Sequence, residues 1–213
     1  MKKILCILVA AITLFTLCAC GSPKSDDTSA ADVQKVEFTA GSWDGSVYTN
    51  EFADITYNQP DDWTHYTDEQ LAQQMQISVD VLSDKKAYNE QIAKLPTAYC
   101  VIANGASGAC VQIFFQNLEA SEEKDMTPEE YLDVIFPMLE QMYAQYGFTC
   151  KVSDVSKLTI GSQEYDYADI SVESQGKVIK QAYLCRKVDN YICSFALTAQ
   201  SEDEIKDMIN CFE

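Results

Sequence analysis

The stretch Ala109 to Leu118, ACVQIFFQNL, restricts the fold more than any other part of the chain. Val111, Ile113 and Phe115 alternate with Cys110, Phe114 and Leu118, so both faces of the strand it predicts are apolar. A strand of that kind needs cover on each side, which places it centrally in a sheet with a layer above and a layer below. Further strands are predicted at 46–58, at 98–103 and in a run of four over 149–199. That run is divided by Gly161, Gly176 and the turn Asp189-Asn190. Hairpin connections of this type predict a mainly antiparallel sheet.

Three helix starts share one local chemistry. Thr67-Asp68-Glu69-Gln70, Thr127-Pro128-Glu129-Glu130 and Ser201-Glu202-Asp203-Glu204 each place a hydroxyl at the cap and Glu or Gln three residues later. The helix from Thr127 carries Tyr131, Ile135, Met138, Met142 and Tyr146 at steps of three and four, widened by Leu132 and Leu139, which predicts a stripe packed on a core. Pro137 is expected to kink it, and Gly147 is placed to end it. The coarse order is strand, helix, strands, long helix, four strands, helix. The fold class is therefore α+β, a three-layer α/β/α sandwich with a mainly antiparallel central sheet.

The first 21 residues, MKKILCILVAAITLFTLCACG, address the chain to a compartment. Lys2 and Lys3 form a positive start, Ile4 to Phe15 an apolar core, and Leu17-Cys18-Ala19-Cys20 a lipobox, so the segment resembles a bacterial lipoprotein signal. On this reading residues 1–19 are removed, Cys20 takes the lipid, residues 20–40 are a flexible linker and 41–213 form a single globular domain. An uncleaved membrane anchor is the competing explanation of Ile4 to Ala19, and the small residue ahead of Cys20 argues against it. In either case the domain is expected on the extracytoplasmic face of a bacterial cell membrane.

Charge narrows the partners. The chain has 33 acidic against 15 basic residues, and loss of two lysines with the signal leaves 33 against 13. A domain this acidic repels phosphate backbones, so nucleic acid is not an expected partner, and the membrane is reached through the lipid on Cys20 alone. The 47% hydrophobic content, with 12 Tyr and 9 Phe, supports one packed core without staples. Of nine cysteines, six remain at 100, 110, 150, 185, 193 and 211. Cys100 with Cys110, and Cys185 with Cys193, flank turns closely enough for cross-strand disulfides, but a register offset by one residue would separate either pair.

The chemistry-bearing residues are few. His65 is the single histidine and has no motif partner; Gly105-Ala106-Ser107-Gly108 lacks the spacing of a nucleophile elbow. Acids gather at Glu119, Glu122, Glu123 and Asp125 and run on to Glu129 and Glu130. Calcium suits such oxygens, yet no D-x-D-x-D-G loop occurs, so no metal or other cofactor is expected. The cluster is instead a candidate acidic docking loop. Trp43, Tyr48, Trp63 and Tyr66 lie near the domain start, and Trp43, Trp63 and Tyr66 are candidate ligand contacts if a cleft exposes them.

Phe52-Ala53-Asp54-Ile55-Thr56-Tyr57 running into Pro60-Asp61-Asp62-Trp63, together with the closing hairpin and short acid-capped helix, resembles the PsbP-like family over about residues 42 to 213. The resemblance implies an α/β/α sandwich that binds or assembles with larger complexes, and it brings no common catalytic set to this chain. The expected function is thus a non-enzymatic, surface-anchored lipoprotein that binds a protein or envelope component as an assembly or accessory module. A small-ligand or glycan receptor is the alternative, and a hydrolase stands third.

Overall fold

A computed structural model describes residues 37–105, 108–120 and 124–213. Cys20, Glu122, Glu123 and Ser107 lie outside the described residues. An eight-stranded antiparallel sheet runs in the order β4 (Thr64–His65), β5 (Thr97–Asn104), β6 (Cys110–Asn117), β11 (Tyr191–Ala199), β10 (Lys177–Val188), β9 (Gln163–Ser174) and β7 (Thr149–Val152), with β8 (Ser156–Ile160) also paired to β9. As expected, β6 lies inside the sheet. Its Val111, Ile113 and Phe115 face one core, and Cys110 and Phe114 face the other, joined there by Leu118 just past the strand end.

One face is covered by α3 (Pro128–Gln145). The opposite face is covered by α2 (Lys85–Ile92), α4 (Glu202–Ile209) and a small sheet of β1 (Ser42–Asp44), β2 (Val47–Asn50) and β3 (Ile55–Asn58). The chain is therefore an α+β three-layer sandwich about a mainly antiparallel sheet. The region read as one strand over 46–58 falls on β2 and β3, and the small sheet starts earlier, at Ser42. Asn50 accepts a hydrogen bond from the Ala53 amide, and Asp54 takes φ 47°, so the chain turns sharply between β2 and β3. The segment 149–160, read as one strand, likewise divides into β7 and β8, where the Ser153 amide bonds the Asp169 carbonyl.

The caps form largely as their chemistry requires. At α1 (Asp68–Gln74) and α3 both halves of the capping box are present. At α4 the Ser201 hydroxyl accepts from the Glu204 amide, but the Glu204 carboxylate takes the Gln200 amide, one residue earlier than a full box. Helix α3 runs on through Pro137, which lies on the exposed side together with Asp133, the residue four earlier whose carbonyl loses its helical donor there. Its buried stripe is Tyr131, Leu132, Phe136, Leu139, Met142 and Tyr143. Tyr146, counted in the predicted stripe, is 63% exposed because the helix ends there and the chain turns at Gly147.

The six cysteines form no disulfide. Cys185 pairs in register with Ser194 and Cys193 with Arg186, so the two thiols point to opposite faces. Cys100 and Cys110 are separated in the same way, one in each core. Phe38, assigned above to the linker, packs with Phe52, Phe115 and Tyr191, stacking on Tyr191 at 4.7 Å, so the folded part begins before residue 41.

Candidate functional site

A cleft of about 310 Å³ opens where the small sheet meets α1 and α2. In the β1–β2 hairpin Trp43 lies directly opposite Tyr48, with ring centroids 5.4 Å apart, and both line the cleft. Asp84 caps α2 by accepting from the amides of Lys86 and Ala87, and this start puts Lys85, Tyr88 and Asn89, spaced three and four apart, on the cleft side. Leu71 and Leu82 add apolar wall, Cys100 of β5 reaches it from the main sheet, and Asp68 comes from the first turn of α1.

The wall is fixed by hydrogen bonds to the incoming chain. Asn89 accepts from the Ala40 amide at 3.1 Å and donates to the Thr39 hydroxyl at 3.4 Å. The Tyr48 hydroxyl donates to the Ala40 carbonyl at 2.7 Å, and Asn50 donates both to Tyr48 and to the Thr39 carbonyl. Gly41 passes so close that a Cβ there would meet the Tyr48 hydroxyl and the Thr49 carbonyl at 2.5 Å, and its φ of 77° favours glycine independently.

Behind the wall, Trp43 stacks on His65 with centroids 3.8 Å apart and planes within 5°. Gln59 uses its amide nitrogen on the Trp63 carbonyl, so its oxygen faces His65 Nδ1 at 2.9 Å, which assigns the proton to Nδ1. Burial lowers the His65 pKa, opposed by Asp68, so the imidazole is neutral at pH 7. The Cys100 thiol is pushed well above its ordinary range, first by burial and then by Cys193, against a bond to Tyr48; it stays protonated and is no nucleophile. Tyr48 and Tyr88 are also raised, chiefly by burial. The arrangement sets apolar surface beside hydrogen-bonding and charged side chains in one cleft.

Of the residues named from sequence, Trp43 and Tyr48 reach the cleft. Trp63 does not: it lies flat against Gly105, where a Cβ would come within 2.7 Å of the indole. Tyr66 turns to the opposite face and packs beside the α3 core. Trp43 and Trp63 both pack against the core on the small-sheet side, whereas Tyr66, an odd number of residues beyond Trp63 along β4, falls on the other side. In the acidic loop, Glu119 accepts from Asn190 at 2.7 Å, Asp125 is exposed, and Lys187 donates to the carbonyls of Lys124 and Met126. The described part of that loop is thus a fastened turn with a lysine against it. Among the described residues no group of three His, Cys, Asp or Glu is placed to hold a metal ion, and no helix is long and apolar enough to cross a membrane.

Lys85, Tyr88, Asn89, Leu82 and Asp68 did not emerge from sequence as site residues. Asp84 ahead of Lys85, with Tyr88 and Ile92 four apart, was the available signal for α2.

No family model matches the chain, and no curated protein sequence matches it. Among solved structures it is similar to cyanobacterial PsbP (CyanoP) from Synechocystis sp. PCC 6803, with a TM-score of 0.49 and 10% identity over 81% of this chain and 97% of that one. It is similar also to LpqN, involved in cell envelope biogenesis of Mycobacterium tuberculosis, with a TM-score of 0.34 and 12% identity over 74% of this chain and 77% of that one. The sandwich architecture described above stands on the strand pairing itself.

Proposed function

We propose that this protein is a non-enzymatic, lipid-anchored binding module on the extracytoplasmic face of a bacterial membrane, held by Cys20, and that the cleft beside Trp43 is where it meets an envelope component. The observation that carries the reading is that the cleft is preformed. Its wall is tied by the bonds among Asn89, Ala40, Tyr48 and Asn50, so a ligand orders little on binding. A second reading, docking of a basic protein by the acidic surface, is favoured by the formal net charge of -18.

A photo-crosslinking amino acid placed in the full chain in intact cells, at Ser42 on the cleft or at Asp125 on the acidic turn, separates the two. A repeated adduct from position 42 that survives high salt supports the cleft. An adduct from position 125 alone, lost at high salt, supports docking, and no specific adduct at either position overturns the binding module. For the anchor, Cys20→Ala is expected to leave uncleaved, unlipidated precursor; normal processing of that variant removes the lipoprotein assignment.

A further inference from the structure

The charges on the cleft wall are balanced in a molecule that is otherwise strongly acidic. Of the lining residues, Asp68 and Lys85 alone carry formal charge at pH 7, since Tyr48, Tyr88 and the Cys100 thiol are all held protonated. Both side chains are exposed, and among the described residues neither has a hydrogen-bond or ion-pair partner. Their sequence neighbours are already engaged. Asp84 is spent on the α2 amides, Lys86 faces Glu90 at 3.8 Å, and His65 is neutral.

From this charge pattern we infer that the cleft takes a small zwitterion with an apolar or aromatic side chain, an α-amino acid or dipeptide, its ammonium toward Asp68 and its carboxylate toward Lys85. The inference rests on reading the cleft as the binding place. An anion would meet Asp68 and a cation would meet Lys85, whereas a zwitterion satisfies both without adding net charge to an acidic protein. Leu71, Leu82 and Tyr88 supply apolar surface for the side chain. The volume of about 310 Å³ lies at the small end of the range for ligand sites, roughly 300 to 1,000 Å³, which suits a ligand of this size and not a long oligomer.

The test is an equilibrium titration of the full chain in detergent with L-phenylalanine, L-leucine and the Leu-Phe dipeptide. Trp43 emission is read in a Trp63→Phe background, and the backbone amide shifts of Gly41 and Asn89 in the unsubstituted protein serve as the readout if that variant does not fold. N-acetyl-L-phenylalanine lacks the ammonium, L-phenylalaninamide lacks the carboxylate, and the doubly capped compound lacks both. Each single cap is expected to weaken binding about fivefold, as for a partly exposed charge pair. Asp68→Asn should erase the preference against the acetyl compound alone, and Lys85→Gln the preference against the amide alone.

Equal binding of the doubly capped compound would overturn the zwitterion while leaving the cleft as a binding place. No response to any of these probes up to about 10 mM, above the millimolar Kd expected for so small a contact, would also overturn it. Crosslinking from Ser42 then decides separately whether the cleft binds anything.

Discussion

The two faces of the central sheet are held by different means. Against α3 the core contains a buried polar ladder: Tyr131 and Tyr183 hydroxyls meet at 3.1 Å, Tyr143 donates to Gln181 at 3.0 Å, and Gln181 donates to Thr198 at 3.1 Å. Against the small sheet and α4 the core is fastened by rings, with Phe195 stacked on Phe212 at 4.6 Å and Phe38 set among Phe52, Phe115 and Tyr191. The first face is covered by a single continuous helix, whose docking can be fixed by a few directional bonds. The second is assembled from segments far apart in sequence, which non-directional apolar contact brings together and side-chain bonds to backbone carbonyls, such as Tyr48 to Ala40 and Tyr191 to Ala93, then fix. The cleft lies on the second face, where pieces meet imperfectly.

That contrast can be broken most severely on the aromatic side. Phe195→Ala removes a fully buried ring from contact with Phe212 and Tyr165 and is expected to cost about 3 to 5 kcal/mol, measured by denaturant unfolding. On the ladder side, Gln181→Leu strands the Tyr143 hydroxyl and the Thr198 hydroxyl in the core, for about 1 to 3 kcal/mol. Adding Tyr143→Phe and Thr198→Val should restore most of that loss, because no buried polar group is then left unpaired. If the triple variant is no better than Gln181→Leu alone, the ladder acts by packing and the contrast between the faces fails.

Alkaline pH probes the aromatic side through Cys193. Cys193 is fully buried, and burial raises its thiol from about 9 to about 12 against the pull of Arg186. The folded state keeps this proton where the unfolded chain loses it. The thiol's contribution is therefore intact below pH 9 and is lost between about pH 9 and 12, at about 1.4 kcal/mol per pH unit. Cys193→Ala should flatten the fall of stability over that interval, and an unchanged slope would show that other groups set it. The smallest effect is expected at the start of α3. Thr127→Ala removes the acceptor for the Glu130 amide at 3.2 Å, for about 1 kcal/mol by thermal unfolding.

Much of this architecture was legible one segment at a time. The alternation in β6 named both cores residue by residue, and the hydroxyl-and-acid starts of α1, α3 and α4 were visible because a cap is chemistry within four residues. Helix α2 was missed because its apolar positions are few and its cap is a lone aspartate ahead of two lysines. The candidate site was legible only in part. Trp43 was named, but its neighbours Asp68, on α1, and Lys85 and Asn89, on α2, come from two further stretches that nothing local connects to it.

The sequence by itself determined that both faces of a mainly antiparallel sheet would be covered, where three of the helices begin, and that the chain is strongly acidic, since each follows from residue type and short-range period. Tertiary structure alone decided that Cys185 and Cys193 lie one register step apart, that Trp43 faces a cleft while Trp63 and Tyr66 do not, and that one carboxylate and one ammonium share its wall. The physical reason is one of range. Caps and alternation are set within a few residues along the chain, whereas register, side and charge neighbourhood are set by which distant segments the apolar cores draw together.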